Sequence, residues 1–254
     1  MGVEKMKKRF GLTTYVYPTR EEMGRAAAKD IAEKIRELMK TQPVVRMIFA
    51  AAPSQNEVLS ALASEDVDFS RIDAFHMDEY IGLPSDAPQG FGNFLRERIF
   101  DKVPFRSVHY LGGNAADVEA ECVRYSALLD EAPIDIVCMG IGENGHIAFN
   151  DPPVADFNDP RRVKAVPLDP VCRMQQVHDG CFANLDKVPE MALTLTVPAL
   201  MSARHHFCIV PTKFKAEAVR ATICGEIATK CPATALRLAP DARLYLDEDS
   251  ASLL

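Results

Sequence analysis

The chain has 254 residues, 48% hydrophobic and 26% charged, a balance ordinary for a globular protein with a sizeable core. Its 29 Lys and Arg against 36 Asp and Glu leave a formal net charge of −7. That argues against a general nucleic-acid binder, though not against a small anionic ligand held by a few local cations. Seven scattered cysteines without a C-x-x-C pair favour a reducing cytoplasm over a disulfide framework. The charged N-terminus lacks the apolar stretch of a secretory signal, and no run approaches the roughly 18 apolar residues of a membrane span.

In chain order, Thr13 to Tyr17 reads as a first strand stopped by Pro18, and Thr19 with Glu22 makes a capping-box start for a helix. That helix carries Met23, Ala27, Ile31, Ile35 and Leu38 as a one-sided apolar stripe. Val44 to Ala50 is the next strand, followed by a turn at residues 51–54 and a helix through Leu59 and Leu62. Arg71 to Phe75 opens a third strand that runs into His76, Asp78, Glu79 and a loop. Phe91, Phe94, Leu95, Ile99 and Phe100 form a further helical stripe, and a short strand at Val108 to Leu111 precedes a helix opened by Asn114 and Asp117. Ile134 to Met139 is a buried strand ending in a glycine loop. Residues 154–185 show no clear period and read as a long lid-like loop. Regular structure returns at Met191 to Val197 and at His206 to Val210, a helix starts at Thr212, and Arg243 to Leu246 is the last strand. The alternation predicts an α/β fold, a doubly wound, mostly parallel sheet in one domain spanning residues 1–254.

The chemistry concentrates after Met139, where Glu143, Asn144, His146 and Asp151 fall within nine residues of one another. Strand ends of this kind are where open α/β sheets keep their ligands. Gly140, Gly142 and Gly145 spell G-x-G-x-x-G, but Pro152 and Pro153 follow closely and the distance for a ribose-binding acid falls on Arg161 and Arg162. The strand–turn–helix context of a dinucleotide site is therefore missing. His146 is the better candidate, a proton carrier whose tautomer Asp151 would fix if the chain folds back between them. Alone it would be a satisfied loop histidine; three glycines and three polar groups at one strand end favour function. Asp78 and Glu79, adjacent carboxylates beyond a buried strand, repel each other and so suit a general base. Lys215 in the first turn of a helix, Ser54 at another and Arg173 from the long loop are candidate anion contacts.

Phe75–Pro84 (FHMDEYIGLP) and Gly140–Pro152 (GIGENGHIAFNDP) resemble the glucosamine-6-phosphate deaminase family, as do the Lys215–Ala216 helix start and Val188–Thr196. The resemblance implies a modified Rossmann-like α/β fold. It also implies conversion of a 2-amino-2-deoxyhexose 6-phosphate into a ketose 6-phosphate and ammonia, without metal or redox cofactor. On that likeness Asp78 is the base moving a proton between C2 and C1, and His146 assists ring opening with support from Asn144 and Asp151. Ser54, Glu79, Gly142, Arg173 and Lys215 would meet the substrate. The small-molecule partner is then a sugar phosphate, with no nucleic acid and no membrane. Because the family includes regulated hexamers, a homo-oligomer stays open.

Three departures from the family pattern stand out. Asp151 replaces a usual Glu and Asn144 a usual Asp, while Ala51–Ser54 replaces a Gly-Gly-Thr phosphate turn, with Pro53 offering no N–H. Two alternatives to the deaminase are a 6-phosphogluconolactonase-like hydrolase and a non-catalytic sugar-phosphate sensor.

Overall fold

The computed structural model describes residues 5–9 and 11–254. Lys5–Arg9 (β1) and Leu12–Tyr17 (β2) form an antiparallel pair. Thr19 then caps Arg20–Leu38 (α1) by accepting from the Glu22 N–H. Val45–Phe49 (β3) is buried at every position and passes through a tight turn at Pro53–Gln55 into Asn56–Leu62 (α2). Ile72–His76 (β4) is followed after one residue by Asp78–Tyr80 (β5) and later by Phe91–Leu95 (α3). Ser107–His109 (β6), Val118–Asp130 (α4) and Ile136–Met139 (β7) come next. Val163–Pro167 (β8), Pro170–His178 (α5), Met191–Leu195 (β9) and Val197–Met201 (α6) follow the glycine loop. His205–Val210 (β10), Ala216–Cys224 (α7) and Ala242–Asp247 (β11) complete the chain.

The main sheet has eight strands in the order β1-β2-β11-β10-β7-β3-β4-β6, parallel throughout except for β1. Continuous apolar strands need cover on both faces, and they receive it. Met47 and Phe49 pack with Met23, Ile31 and Leu59 from α1 and α2, whereas Ile48 packs with Tyr125 and Leu129 of α4 and Val219 of α7. From β3 the chain winds outward through β4 and β6; from β7 it winds the other way through β10 and β11. The order reverses between β3 and β7, and the crevice at such a switch point is the ligand position in open α/β sheets. The parallel, doubly wound sheet expected from the alternation is present.

Two segments differ from their sequence reading. Residues 76–80 do not simply run out into a loop. Instead β5 joins a second, antiparallel sheet of order β5-β9-β8, with Asp78 opposite Thr194. Residues 154–185 contain β8 and α5 rather than one irregular loop. Their periods are masked by polar residues facing inward. Lys164 of β8 is buried, 3.0 Å from Asp159 and donating to the Val154 carbonyl at 2.7 Å. On α5 the buried positions are Cys172, Gln175 and Gln176 rather than aliphatics. After Gly145 no helix begins, as expected for a loop that is not a dinucleotide fingerprint. Among the described residues no helix is long and apolar enough to cross a membrane.

Candidate active site

Loops at the carboxyl ends of β3, β4, β7 and β10 meet over the switch point and line one cleft. Of the residues singled out in the sequence, Ser54, Asp78, Gly142, His146 and Lys215 line it together; Asn144 and Asp151 stand directly behind His146. Glu79 and Arg173 are not among its lining residues.

The histidine is held by a three-membered network. Its Nδ1–H donates to Asn144 Oδ1 at 2.7 Å and lies 3.1 Å from Asp151 Oδ1, while the Asn144 amide donates to the same carboxylate oxygen at 2.9 Å. With Nδ1 carrying the proton, Nε2 presents its lone pair, the tautomer a proton acceptor needs, with the Cys172 thiol as its weak donor. Asp151, although shorter than glutamate, reaches the ring because residues 147–150 double back, with an antiparallel bridge from Ile147 to Asn150. Burial pushes the Asp151 carboxyl up. Its hydrogen bonds with His146, from Asn144 and from the Asp169 N–H outweigh that and hold it below the ordinary carboxylate value. An anionic Asp151 thus supports a proton on Nδ1 even though Asn144 carries no charge. Cys172 completes the surroundings, with its sulfur 3.9 Å from His146 Nε2. Burial, then the charges of Asp151 and Asp78, raises its pKa far above the ordinary thiol value, so it is a neutral thiol here.

Gly142 passes directly over the imidazole. A Cβ built there would meet His146 Cε1 at 2.0 Å and both ring nitrogens at 2.3 Å, so any side chain must displace the ring. Gly142→Ala is expected to lower turnover by about 10²-fold, the scale for a misplaced reacting group. Steady-state kinetics beside a melting curve would check this, since a fold-wide defect would also lower the melting temperature.

Asp78 enters the cleft from the first residue of β5. Its backbone is fixed by the wholly buried His76, whose Nδ1–H donates to the Asp78 carbonyl at 2.9 Å and whose Nε2 accepts from the Leu111 N–H at 3.0 Å. The Asp78 carboxylate itself accepts no hydrogen bond from a protein donor among the described residues. Burial first, and the neighbouring Glu79 charge second, push it well above the ordinary carboxylate range. Glu79 is a correction to the sequence reading. It is turned away from the cleft and accepts from the N–H groups of Tyr80, Phe91 and Gly92 at 2.8–2.9 Å, anchoring the start of α3.

The opposite wall carries the cations. Thr212 sits in the left-handed region at φ +80 and donates its N–H to both carboxylate oxygens of Asp247 at 3.1 and 3.0 Å. A strained residue of this kind persists only where its surroundings fix it, and here it delivers Lys215 into the cleft. The Lys215 residue is 4% exposed and its Nζ has no hydrogen-bond partner among the described residues. Burial lowers its pKa, opposed by the Asp179 and Glu143 carboxylates. Ser54 faces it from the turn after β3. Arg173 is the second correction. Its guanidinium donates to the carbonyls of Leu185 at 3.0 Å and Val188 at 2.8 Å, tying down the chain after α5. A different arginine lines the cleft, Arg20 of α1, which pairs with Glu57 at 2.8 Å and donates to the Pro53 carbonyl. It brings positive charge to the turn where Pro53 has no N–H. Gln175, Gln176 and Asp179 also line the cleft. The spacing Cys172–Gln175–Gln176 is a helical stripe that the sequence displayed, but Arg20 gave no local signal.

Comparison with known proteins agrees with this geometry. The sequence model of the family described as glucosamine-6-phosphate isomerases/6-phosphogluconolactonase matches residues 18–245. A glucosamine-6-phosphate deaminase of Bacillus cereus is 33% identical over 238 residues, covering 94% of this chain and 87% of that one. A solved structure described as a monomeric glucosamine-6-phosphate deaminase superposes with a TM-score of 0.86 at 32% identity, covering 95% of this chain and 99% of the other. The 6-phosphogluconolactonase of Trypanosoma brucei superposes at 0.78 with 18% identity, covering 97% of this chain and all of the other. That last likeness is one of fold.

Proposed function

The chain belongs to the glucosamine-6-phosphate isomerase/6-phosphogluconolactonase family, and we propose the following course for its reaction, the deamination and isomerisation of glucosamine 6-phosphate to fructose 6-phosphate. The 6-phosphate lies against Lys215, with Arg20 and Ser54 completing its contacts. His146 Nε2 takes the proton of the C1 hydroxyl and returns it to the ring oxygen, opening the pyranose to the aldehyde. Asp78 then removes the C2 proton, the enolate oxygen takes a proton from the substrate's own ammonium to give the enolamine, and Asp78 delivers its proton to C1. The resulting C2 iminium adds water and expels ammonia, leaving the ketose phosphate. Asp151 and Asn144 hold the Nδ1 proton throughout, and Asp179 and Glu143 help keep Lys215 protonated.

The observation that carries this reading is the union in one cleft of a buried carboxylate free of protein donors, a histidine with a fixed tautomer, and a buried ammonium without a partner. Lactone hydrolysis needs no proton transfer at C2, the step assigned here to Asp78. Ammonia release over a panel of hexosamine 6-phosphates tests the reading. Glucosamine 6-phosphate should be turned over, whereas tight binding of the panel with no ammonia from any member would make the protein a sensor.

A further inference from the structure

Cys172 has no part in the chemistry above, yet it lies beside the two groups that do. It packs in the apolar core with its carbon side, while its sulfur faces His146 Nε2 at 3.9 Å, and suitable atoms of His146, Asp151 and Cys172 all lie within 4.8 Å of one another. All three residues are buried, at 8%, 0% and 1% exposure.

We propose that His146, Asp151 and Cys172 form a binding site for a thiophilic divalent cation, zinc by its ligand chemistry, and that its occupancy blocks the active site. Thiolate, imidazole and carboxylate are the zinc donors, and three protein ligands with one open position is the arrangement of a zinc that also meets a small molecule. Ordinary zinc bond lengths in a tetrahedral site separate sulfur from nitrogen by about 3.6 Å, so the sulfur–nitrogen spacing needs to close by only a few tenths, and Asp151, whose Oδ1 lies 3.1 Å from Nδ1, must turn an oxygen toward the ion. Asn144, accepting from Nδ1–H, already holds the ring with Nε2 free to coordinate, as the outer partners of metal-bound histidines do. On binding, the thiol proton passes to solvent and the sulfur lone pair enters the zinc–sulfur bond. The ion then occupies the lone pair that His146 uses for ring opening. Zinc is thus an inhibitor here and takes no part in turnover. Only the blocking clause rests on the deaminase reading; the site itself does not.

The test begins with the purified, chelator-treated chain titrated with zinc against a chromophoric competitor, without substrate. One zinc per chain is expected, weakened at least about tenfold in Cys172→Ser, since even outer-shell losses cost that much. Exposed Cys224 offers a comparison thiol, and Cys224→Ser should bind as the wild type does. Cobalt in place of zinc should give a thiolate charge-transfer band that disappears in Cys172→Ser. Equal affinity in Cys172→Ser, loss of the site in Cys224→Ser, or a cobalt spectrum without that band would each overturn the site. Should Cys172→Ser not fold, Asp151→Asn read by zinc affinity alone takes its place, with the same weakening expected. Zinc that binds at Cys172 without suppressing ammonia release would overturn the blocking role. Failure of the deaminase reading itself would show separately, as a zinc-free chain that releases no ammonia.

Discussion

Asp78→Asn is expected to lower ammonia release by about 10²–10⁴-fold, the range for losing a positioned general base, while making the protein more resistant to heat near neutral pH. Both effects have one origin. The carboxylate is buried without a protein hydrogen-bond donor and beside the Glu79 charge, so the fold raises its pKa. A carboxyl whose folded pKa lies above its unfolded one stabilises the protein fully at pH below the unfolded value. That contribution is lost as the pH rises through the folded value. The amide cannot ionise, so the stability advantage of Asp78→Asn should open as the pH climbs through the folded pKa and be small in more acidic solution. In the wild type the acid limb of kcat/KM should correspondingly lie above the range of an ordinary carboxylate. Melting temperatures of both proteins across pH, beside initial rates, check the pair of effects. Activity within tenfold of wild type would remove Asp78 from the role of base. A stability difference independent of pH would show that the carboxylate is solvated rather than buried. The substitution separates catalysis from stability because active sites keep groups that the fold alone would not choose.

The parts of the site legible in the sequence are those built by local chain. His146, Asn144, Asp151 and Gly142 lie within ten residues of one another, so a single turn brings them together, and the spacing displays them. Lys215 and Ser54 were legible for a related reason. Each follows a parallel strand, and strand ends converge in a doubly wound sheet whatever the loops contain. The second sheet was not legible, since β5 has three residues and its partner β9 lies far along the chain, with Asp78 opposite Thr194. Arg20 reaches the cleft through a contact across 33 residues with the Pro53 carbonyl, and in sequence it is only the first residue of α1. Arg173 shows the converse. Residue type made it an anion contact, but it lies outside the cleft lining, with its Nη2 donating to two carbonyls after α5. For Glu79 the adjacency to Asp78 does supply charge repulsion, whereas strand alternation sends the two side chains to opposite sides. Residue pattern identifies groups able to do chemistry; tertiary contacts decide which of them are already engaged.

Lys215 is the cation whose engagement is left open, and Lys215→Met should weaken sugar-phosphate binding most. A hydrogen bond to a charged group contributes about 1.5–3 kcal/mol, which corresponds to roughly 10–150-fold in affinity. That loss should appear mainly in KM, because the phosphate is remote from C1 and C2 and is held equally before and during the reaction. The same substitution should raise the melting temperature of the ligand-free protein, since a buried ammonium without a partner gives way to an apolar chain of similar length. The pH dependence follows from the direction of the shift. Burial places the folded pKa below the unfolded one, so folding disfavours the charged form and wild-type stability recovers as the pH rises through the folded value. The advantage of Lys215→Met should therefore be greatest below that pKa and shrink above it. Inorganic phosphate supplies a control: by binding the native state it should raise the melting temperature of the wild type and have little effect on Lys215→Met. Equal stabilisation of both proteins by phosphate, or an unchanged KM, would move the anion site away from Lys215. Arg20 and Ser54 would then be left to hold the phosphate at a turn whose central residue has no N–H to give.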